Sequence, residues 1–179
     1  MDRSNVDAAR SGDRSAFDGI VRTEVDRVYR LALAITGNET DAADTTQEAF
    51  LHAWRHVREL RDPDRFDAWL GRIVVNQARM VLRSRRRRLV REIAVSDVAA
   101  DAGRPPVPAV ATDDALALRA ALARLPADQR AILGLRHLEG RGIAEIAAIL
   151  AVPEGTAKSR LFAARRALEA ELAEEVADG

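Results

Sequence analysis

Residues 154–166, EGTAKSRLFAARR, combine small, hydroxyl and basic side chains in a spacing that suits contact with DNA. In a helix, the small and basic residues of this segment fall opposite its apolar residues. Lysine and arginine bind phosphates or guanine edges, small residues allow close approach, and a phenylalanine ring can touch a thymine methyl group. The apolar side holds Ala157, Leu161, Ala164 and Leu168. The opposite side holds Gly155, Lys158, Ser159, Phe162 and Arg166.

The preceding residues 143–150, IAEIAAIL, predict a short helix with one apolar edge. Ala151, Val152 and Pro153 then interrupt the helical pattern. Proline suits the first turn of the next helix, because that position needs no backbone N–H. Two helices joined by a tight turn, with a basic second helix, are typical of a helix-turn-helix that binds DNA. The alternative is an ordinary helical hairpin with a solvated basic face.

A second concentration of positive charge lies near the middle of the chain, with arginines at positions 83, 85–88 and 91. The whole chain has 28 basic and 28 acidic residues, so its net charge of zero conceals this separation. Closely spaced arginines repel one another unless an anion neutralises them. Binding to nucleic-acid phosphates is therefore favoured over a solvated helix end.

The composition argues against several other kinds of chemistry. Cysteine is absent, which excludes disulfides and thiolate metal sites. His52 and His56 have the spacing of half a metal site, but no third ligand is clearly placed beside them. No nucleophile or glycine-rich phosphate loop accompanies the acidic residues Asp41, Asp44 and Glu48, so we expect no enzyme, cofactor, metal or small-molecule substrate. No apolar run could span a bilayer and the N-terminus lacks a hydrophobic signal core, so we expect a cytoplasmic protein.

Helices must position these residues, because alanine, leucine and arginine dominate and aromatic residues make up only 4% of the chain. Apolar stripes of helical period run through residues 17–35, 42–57 and 66–82, and Gly37 with Asn38 predicts the end of the first. We expect an all-α fold of two small helical domains. A bundle covers residues 1–91 and the helix-turn-helix domain covers residues 115–179. The intervening residues 92–114 are acidic and contain three prolines, which predicts a flexible linker.

Taken together, these motifs resemble a known family. IAEIAAILAVPEGTAKSRLFAARRAL, with LARLPADQRAILGLRHLEG before it, is similar to the last domain of bacterial RNA polymerase sigma factors of the small extracytoplasmic-function type. DAADTTQEAFLHAW is similar to the segment of that family that binds the polymerase clamp. RFDAWLGRIVVNQARMVLRSRRRR is similar to its promoter-melting segment. The resemblance covers nearly the whole chain and implies sigma region 2 followed by sigma region 4.

The resemblance implies two contacts for the first domain. One helix face would dock on the clamp coiled coil of the largest polymerase subunit, through Asp44, Gln47, Glu48, Leu51 and Arg55. The loop ELRDPDR and the helix after it would capture the unpaired non-template strand at the minus-ten element. The candidate residues for this capture are Arg65, Arg72, Asn76, Arg79, Arg83, Arg86 and Arg87. Trp69 lies on the apolar stripe of that helix, so we expect it in the core and not as a stacking platform.

For the second domain, the resemblance implies contact with the minus-thirty-five element and with the polymerase flap. The candidate DNA-binding residues are Thr156, Lys158, Ser159, Arg160, Phe162, Arg165 and Arg166. An anti-sigma factor is a further implied partner. The chain departs from the family pattern at Thr45 and Thr46, where bulkier apolar residues are usual. It also has Ala151 where a glycine usually ends the helix, so we expect a strained or differently shaped turn there.

Two other functions fit parts of the sequence. A stand-alone helix-turn-helix regulator would use the second domain, but it leaves the clamp face and the arginine-rich helix unexplained. A helical adaptor protein would use the first domain alone. The long linker also raises the hypothesis that the free chain closes on itself and hides both DNA-binding faces.

Overall fold

The computed structural model describes residues 3–95 and 113–178, and within these ranges it contains helices and turns but no strand. The helices are α1 (Arg3–Arg10), α2 (Arg14–Thr36), α3 (Glu39–His56), α4 (Phe66–Val95), α5 (Asp113–Arg124), α6 (Ala127–His137), α7 (Ile143–Leu150) and α8 (Glu154–Asp178). Two short 3-10 turns, Val57–Glu59 and Pro63–Arg65, connect α3 to α4. The all-α prediction is confirmed. Residues 96–112 of the predicted linker lie outside the described residues, while residues 92–95 continue α4 and residues 113–114 begin α5.

The junction between α2 and α3 follows from one flexible residue, Gly37, and one polar residue, Asn38. Gly37 adopts the left-handed conformation (φ 70°), and its N–H donates to the Leu33 carbonyl at 2.8 Å. A side chain at this φ would be strained, so glycine is the favoured residue for ending α2. Asn38 then begins α3, because its side-chain oxygen accepts a hydrogen bond from the Asp41 N–H at 2.9 Å. The predicted stop at Gly37 and Asn38 is confirmed.

The first domain is a bundle in which α2, α3 and α4 pack against one another and α1 covers α2. Each long helix buries most of the apolar stripe that the sequence predicts. The fully buried side chains include Val6, Ile20, Val28, Leu31, Ile35, Phe66 and Leu70. Trp69 is half-buried against this core, with its ring centroid 5.6 Å from that of Phe66. The core position expected for Trp69 therefore agrees with the structure.

The second domain packs α5, α6 and α7 around the long helix α8. Its core consists mainly of Ile132, Leu135, Ile146, Ile149, Ala157, Leu161 and Ala164. Between α7 and α8, Ala151 has φ 54° and ψ 48°, the left-handed conformation that glycine usually takes. The Val152 N–H donates to the Ala147 carbonyl at 3.0 Å, so α7 ends in the usual glycine-type turn despite the alanine.

The two domains are in direct contact in this structure. Helix α2 packs on α6, and α4 packs on α7. Buried apolar residues of both domains form one continuous cluster. The first domain therefore presents part of its surface to the second and not to solvent.

Candidate nucleic-acid interface

Helix α8 presents an exposed face that matches the predicted DNA-reading surface. Its opposite side is buried through Ala157, Leu161 and Ala164. Phe162 is 65% exposed, more than any other large apolar side chain in the described part of the chain. The ring is therefore accessible to a partner surface. Gly155 and Ser159, the small residues on the same face as Phe162, leave room for the surface of a partner to approach.

Four basic side chains surround Phe162 on α8. Lys158, Arg160, Arg165 and Arg166 are all exposed. Among the described residues, none of the four has a carboxylate within ion-pair distance. Ser159 donates its hydroxyl to the Thr156 carbonyl at 3.0 Å, which leaves its oxygen free to accept a further hydrogen bond. Unpaired cations around an exposed aromatic ring form a surface that suits binding to DNA phosphates and base edges.

Helix α4 carries the residues predicted to capture the opened strand, and the second domain already contacts two of them. The Arg72 guanidinium donates to the Ala148 carbonyl at 2.6 Å. Arg79 forms an ion pair with Asp128 at 2.7 Å and is only 26% exposed. Asn76 and Arg83 on the same helix are exposed. The structure thus brings the candidate side chains onto one surface but covers part of it.

Some arginines near the end of α4 contact the rest of the bundle, and others are exposed to solvent. Arg85 pairs with Asp41 of α3 at 2.9 Å, which ties the end of α4 to the bundle. Arg86 and Arg87 are exposed. Arg79, Arg83 and Arg86 line a cleft of about 570 Å³ that Pro126, Ala127 and Asp128 close from the second domain. Arg65, before α4, is 81% exposed and lies 3.5 Å from Asp62.

Helix α3 presents the predicted polymerase-binding face to solvent. Its exposed residues are Asp44, Gln47, Glu48, Leu51 and Arg55. An apolar groove of about 660 Å³ runs beside this face, between α2 and α3. Val21, Val25 and Tyr29 of α2 line the groove together with Gln47 and Leu51.

The sequence patterns did not predict this groove. Val21 and Val25 belong to the apolar stripe of α2, which predicts burial for both residues. They are half-buried because the stripe is wider than the surface that α3 covers. The width of the apolar stripe on α2 was the sequence feature from which this groove could have been predicted.

The two histidine rings of α3 lie close together and are tilted by 33°. The ring centroids of His52 and His56 are 4.4 Å apart, and the His56 ring contacts Glu59 at 3.1 Å. Burial and the neighbouring charges of His56 and Arg55 lower the pKa of His52. Within residues 3–95 and 113–178, no group of three or more possible metal-binding side chains occurs. Over the same residues, no helix is long and apolar enough to cross a membrane.

Fold and surface together define the class of this protein: an all-helical, two-domain protein whose helix-turn-helix has an exposed basic face. Comparison with protein families then identifies the two domains. The chain matches the description "Sigma-70 region 2" over residues 20–88 and "Sigma-70, region 4" over residues 115–168.

Two curated relatives are similar over nearly the whole chain. One is the ECF RNA polymerase sigma factor SigE of Mycolicibacterium smegmatis, 38% identical over 169 residues, with 91% of this chain and 65% of that protein covered. Another is the ECF RNA polymerase sigma factor SigM of Mycobacterium tuberculosis, 36% identical over 170 residues, with 93% and 84% covered. The chain therefore belongs to the sigma-70 family, among its extracytoplasmic-function members.

Solved structures share the same fold. The structure described as CnrH in complex with the cytosolic domain of CnrY has a TM-score of 0.69 and 28% identity, and the match covers 97% of each chain. The sigma factor RpoE in complex with the anti-sigma factor NepR, from Bartonella quintana, has a TM-score of 0.68 and 26% identity, with 87% of this chain and 96% of that chain covered.

Proposed function

We propose that this chain is a dissociable subunit of bacterial RNA polymerase that directs the enzyme to promoters. The exposed face of α3 docks on the clamp coiled coil, α4 holds the opened minus-ten strand, and α8 reads the minus-thirty-five element. The observation that carries the proposal is the solvent-exposed Phe162 on the second helix of a helix-turn-helix, among four cations with no ion-pair partner in the described residues. The proposal is also supported by the family matches, because region 2 precedes region 4 along the chain, as in the family.

The chain acts by binding alone in this proposal. Arginine and lysine side chains neutralise phosphates, and base contacts on α8 select the sequence. On α4, Asn76 and the neighbouring arginines supply hydrogen bonds and charge to a strand that has lost its pairing partner. The chemistry of RNA synthesis belongs to the polymerase core, so we assign this chain no catalytic group, cofactor or small-molecule substrate. In this proposal the chain acts in the cytoplasm, where RNA polymerase and promoter DNA are located.

A second protein partner follows from the solved relatives. Both are recorded in complexes, one with CnrY and the other with the anti-sigma factor NepR. We include an anti-sigma factor among the partners of this chain. The polymerase flap is assigned as a contact of the second domain, as in the family.

Reconstituted transcription tests the proposal. Polymerase core from the source organism is mixed with the protein and genomic DNA fragments, and transcript start sites are mapped. We expect new discrete starts with the wild-type chain, loss of these starts with Lys158→Ala, and loss of core binding with Gln47→Ala combined with Glu48→Ala. Arg22→Ala is the control, because Arg22 is an exposed base on α2 outside all three faces.

The opposite outcome is equally clear. Wild-type protein that neither binds core nor supports any start would overturn the proposal. If that protein still bound duplex DNA alone, it would instead be a stand-alone helix-turn-helix regulator.

A further inference from the structure

The candidate strand contacts on α4 are all polar, although an unpaired base also has apolar faces. The asparagine and the arginines of α4 supply hydrogen bonds and positive charge. The two ring faces of a base lose their stacking neighbours when the duplex opens. Proteins that hold a single strand usually cover these faces with a side chain and also neutralise the phosphates with cations. The strand surface of α4 therefore requires an apolar side chain among its polar ones.

Met80 is the apolar side chain that α4 exposes to solvent. It is 55% exposed, and it is the only exposed large apolar residue among residues 66–89, the part of α4 whose side-chain burial the structure describes. Trp69 does not serve this purpose, because its ring is half-buried and packs against Phe66. Met80 is therefore the available surface for the face of a base.

The helix places Met80 among the candidate strand contacts. Met80 follows Asn76 by four residues and precedes Arg83 by three. With 3.6 residues per turn, these three side chains project within about 60° of one another, and their positions are about 6 and 4.5 Å apart along the helix axis. A nucleotide whose phosphate meets Arg83 and whose base edge meets Asn76 would therefore lie across Met80.

The second domain leaves this part of α4 uncovered. From α4, the cleft between the domains is lined by Arg79, Leu82, Arg83 and Arg86. Leu82 projects about 160° away from Met80 around the helix. The thioether is thus accessible in the structure, even though Arg79 on the neighbouring side pairs with Asp128.

A thioether suits contact with an aromatic ring. The methionine side chain is unbranched and its sulfur is polarisable, so it makes favourable contacts with aromatic rings at a distance of about 5 Å. Every base has such a ring, so this contact adds affinity for a single strand without selecting its sequence. Sequence selection stays with groups that bind base edges, such as Asn76.

We propose that Met80 lies against the face of an unpaired base in the captured strand, and that oxidation of its sulfur weakens this contact. The assignment deepens the proposed function and rests on it, because it names a residue of the strand surface and a chemical change that controls it.

The oxidation step follows from the sulfur content of the chain. The sequence has no cysteine and two methionines, of which the other is Met1. Hydrogen peroxide transfers one oxygen atom to the thioether sulfur and leaves as water, so the sulfur is oxidised to a sulfoxide and the peroxide is reduced. The sulfoxide is polar and favours water over the face of a base. Methionine sulfoxide reductases, one for each epimer, restore the thioether.

Three variants separate the contact from the oxidation. Met80→Gln keeps a side chain of similar length but makes it polar. Met80→Leu keeps an apolar side chain of nearly the same volume and cannot be oxidised. Met80→Leu combined with Leu118→Met moves the internal methionine to α5, where Leu118 is 41% exposed and lies outside the faces of α3, α4 and α8.

Strand binding is measured on the full chain assembled with polymerase core. Fluorescence anisotropy reports binding of a single-stranded oligonucleotide that carries the minus-ten sequence mapped by transcription. Each chain is treated with hydrogen peroxide before assembly, and the peroxide is then removed so that the core is never oxidised. Peptide mass spectrometry confirms the added oxygen at Met80.

We expect Met80→Gln to bind the oligonucleotide about five-fold more weakly than the wild type, and Met80→Leu to bind within about two-fold of it. The slope of log affinity against log salt should stay unchanged in Met80→Gln, whereas Arg83→Ala should reduce it by about 0.7. A general disturbance of the charged surface would change the slope in both variants. Urea denaturation should give Met80→Gln the stability of the wild type, because its side chain is exposed.

Oxidation should weaken binding by the wild type to the level of Met80→Gln, and the two reductases should restore it. Met80→Leu and the Leu118→Met double variant, both of which keep Met1, should bind equally well before and after peroxide. Wild-type affinity in Met80→Gln would overturn the base contact. Unchanged affinity of a wild-type chain oxidised at Met80, or an equal loss in the double variant, would overturn the role of its oxidation.

Failure of the proposed function is seen separately. It appears as absence of core binding before any oligonucleotide is added. The same variants are then titrated as free chains with a mixed-sequence oligonucleotide, and equal affinities of the wild type and Met80→Gln would again overturn the base contact.

Discussion

Phe162 and Lys158 lie on the same face of α8 but should contribute to DNA binding in different ways. Lysine meets phosphates, which every sequence has, whereas an aromatic ring can contact a base. We expect Lys158→Ala to weaken binding to all duplexes and to reduce the slope of log affinity against log salt by about 0.9. Phe162→Ala should weaken binding only to the cognate element and leave that slope unchanged. Anisotropy titrations on cognate and scrambled duplexes at several salt concentrations distinguish these outcomes, and equal slopes for both variants would contradict the assignment.

Thr45 is a residue whose chemistry does not fit its surroundings. Its side chain is fully buried, and its hydroxyl has no hydrogen-bond partner in the part of the chain that the structure describes. A buried hydroxyl without a partner costs about 1–3 kcal/mol. We expect Thr45→Val, which keeps nearly the same shape, to raise the free energy of unfolding by about 1 kcal/mol. Urea denaturation measures this change.

Thr46 provides the control for Thr45. It is also buried, but its hydroxyl donates to the Ala42 carbonyl at 2.8 Å. Thr46→Val should therefore give no gain in stability. A gain in Thr46→Val equal to that in Thr45→Val would show that the missing hydrogen bond is not the cause.

The turn between α7 and α8 depends on Ala151 in a conformation that alanine rarely adopts. A left-handed alanine costs about 1–2 kcal/mol, and glycine removes that cost while adding some entropy to the unfolded chain. We expect Ala151→Gly to raise the free energy of unfolding by about 0.5–1 kcal/mol. Thermal denaturation should show a rise of about 1–4 °C. Ala148→Gly, within α7, is the control and should lower stability by about 1 kcal/mol.

The first turn of α7 is stabilised by Glu145 in its ionised form. Its carboxylate accepts hydrogen bonds from the Gly142 N–H and from Arg141, both at 2.9 Å. The backbone hydrogen bond from Gly142, followed by the one from Arg141, lowers the pKa of Glu145 below its ordinary value of 4.5. A lowered pKa in the folded state means that this stabilisation is complete above pH of about 4.5 and is lost as the pH falls through the lower folded value.

Glu145→Gln should therefore be less stable than the wild type at neutral pH and approach it in acid. We expect a difference of about 0.5 kcal/mol at pH 7, because the carboxylate is half-exposed and solvent screens its pairing with Arg141. Urea denaturation at pH 7 and in acid measures both values. Glu169→Gln, an exposed change of charge on α8, controls for net charge. A difference that stays constant down to pH 3 would contradict this role for Glu145.

The sequence predicted most of the helical elements for identifiable reasons. Stripes of helical period gave the buried faces of α2, α3 and α4, and Gly37 with Asn38 gave a boundary that backbone geometry requires. The exposed face of α8 was also predictable, since residues opposite a buried stripe must face solvent.

The contact between the domains was not predictable from the same patterns. Gly71 and Gly134 act through the absence of a side chain, and Arg27 and Glu139 are 112 positions apart. No local pattern connects such residues. The contact between the domains covers part of the α4 face, through Arg72 and Arg79, whereas the α8 face remains exposed.

The contact between the domains gives Arg79 two competing partners. In the structure it pairs with Asp128, which is 64% exposed, and in the proposed function it contacts the captured strand. An exposed ion pair contributes about 0–1 kcal/mol, so removing Asp128 should shift the balance toward the strand by up to about five-fold. Asp128→Asn is therefore expected to raise the affinity for single-stranded minus-ten DNA, and Arg79→Ala to lower it.

A double-mutant cycle separates this competition from a general change in the surface. If Asp128 acts through Arg79, then Asp128→Asn has little effect on strand affinity once Arg79 is alanine, and the two changes are not additive. If Asp128 only repels the approaching phosphates, the gain from Asp128→Asn persists in the Arg79→Ala background. Anisotropy titrations on the four proteins at one salt concentration give the coupling directly. A persistent gain would show that Asp128 acts on the strand directly and not through its pair with Arg79.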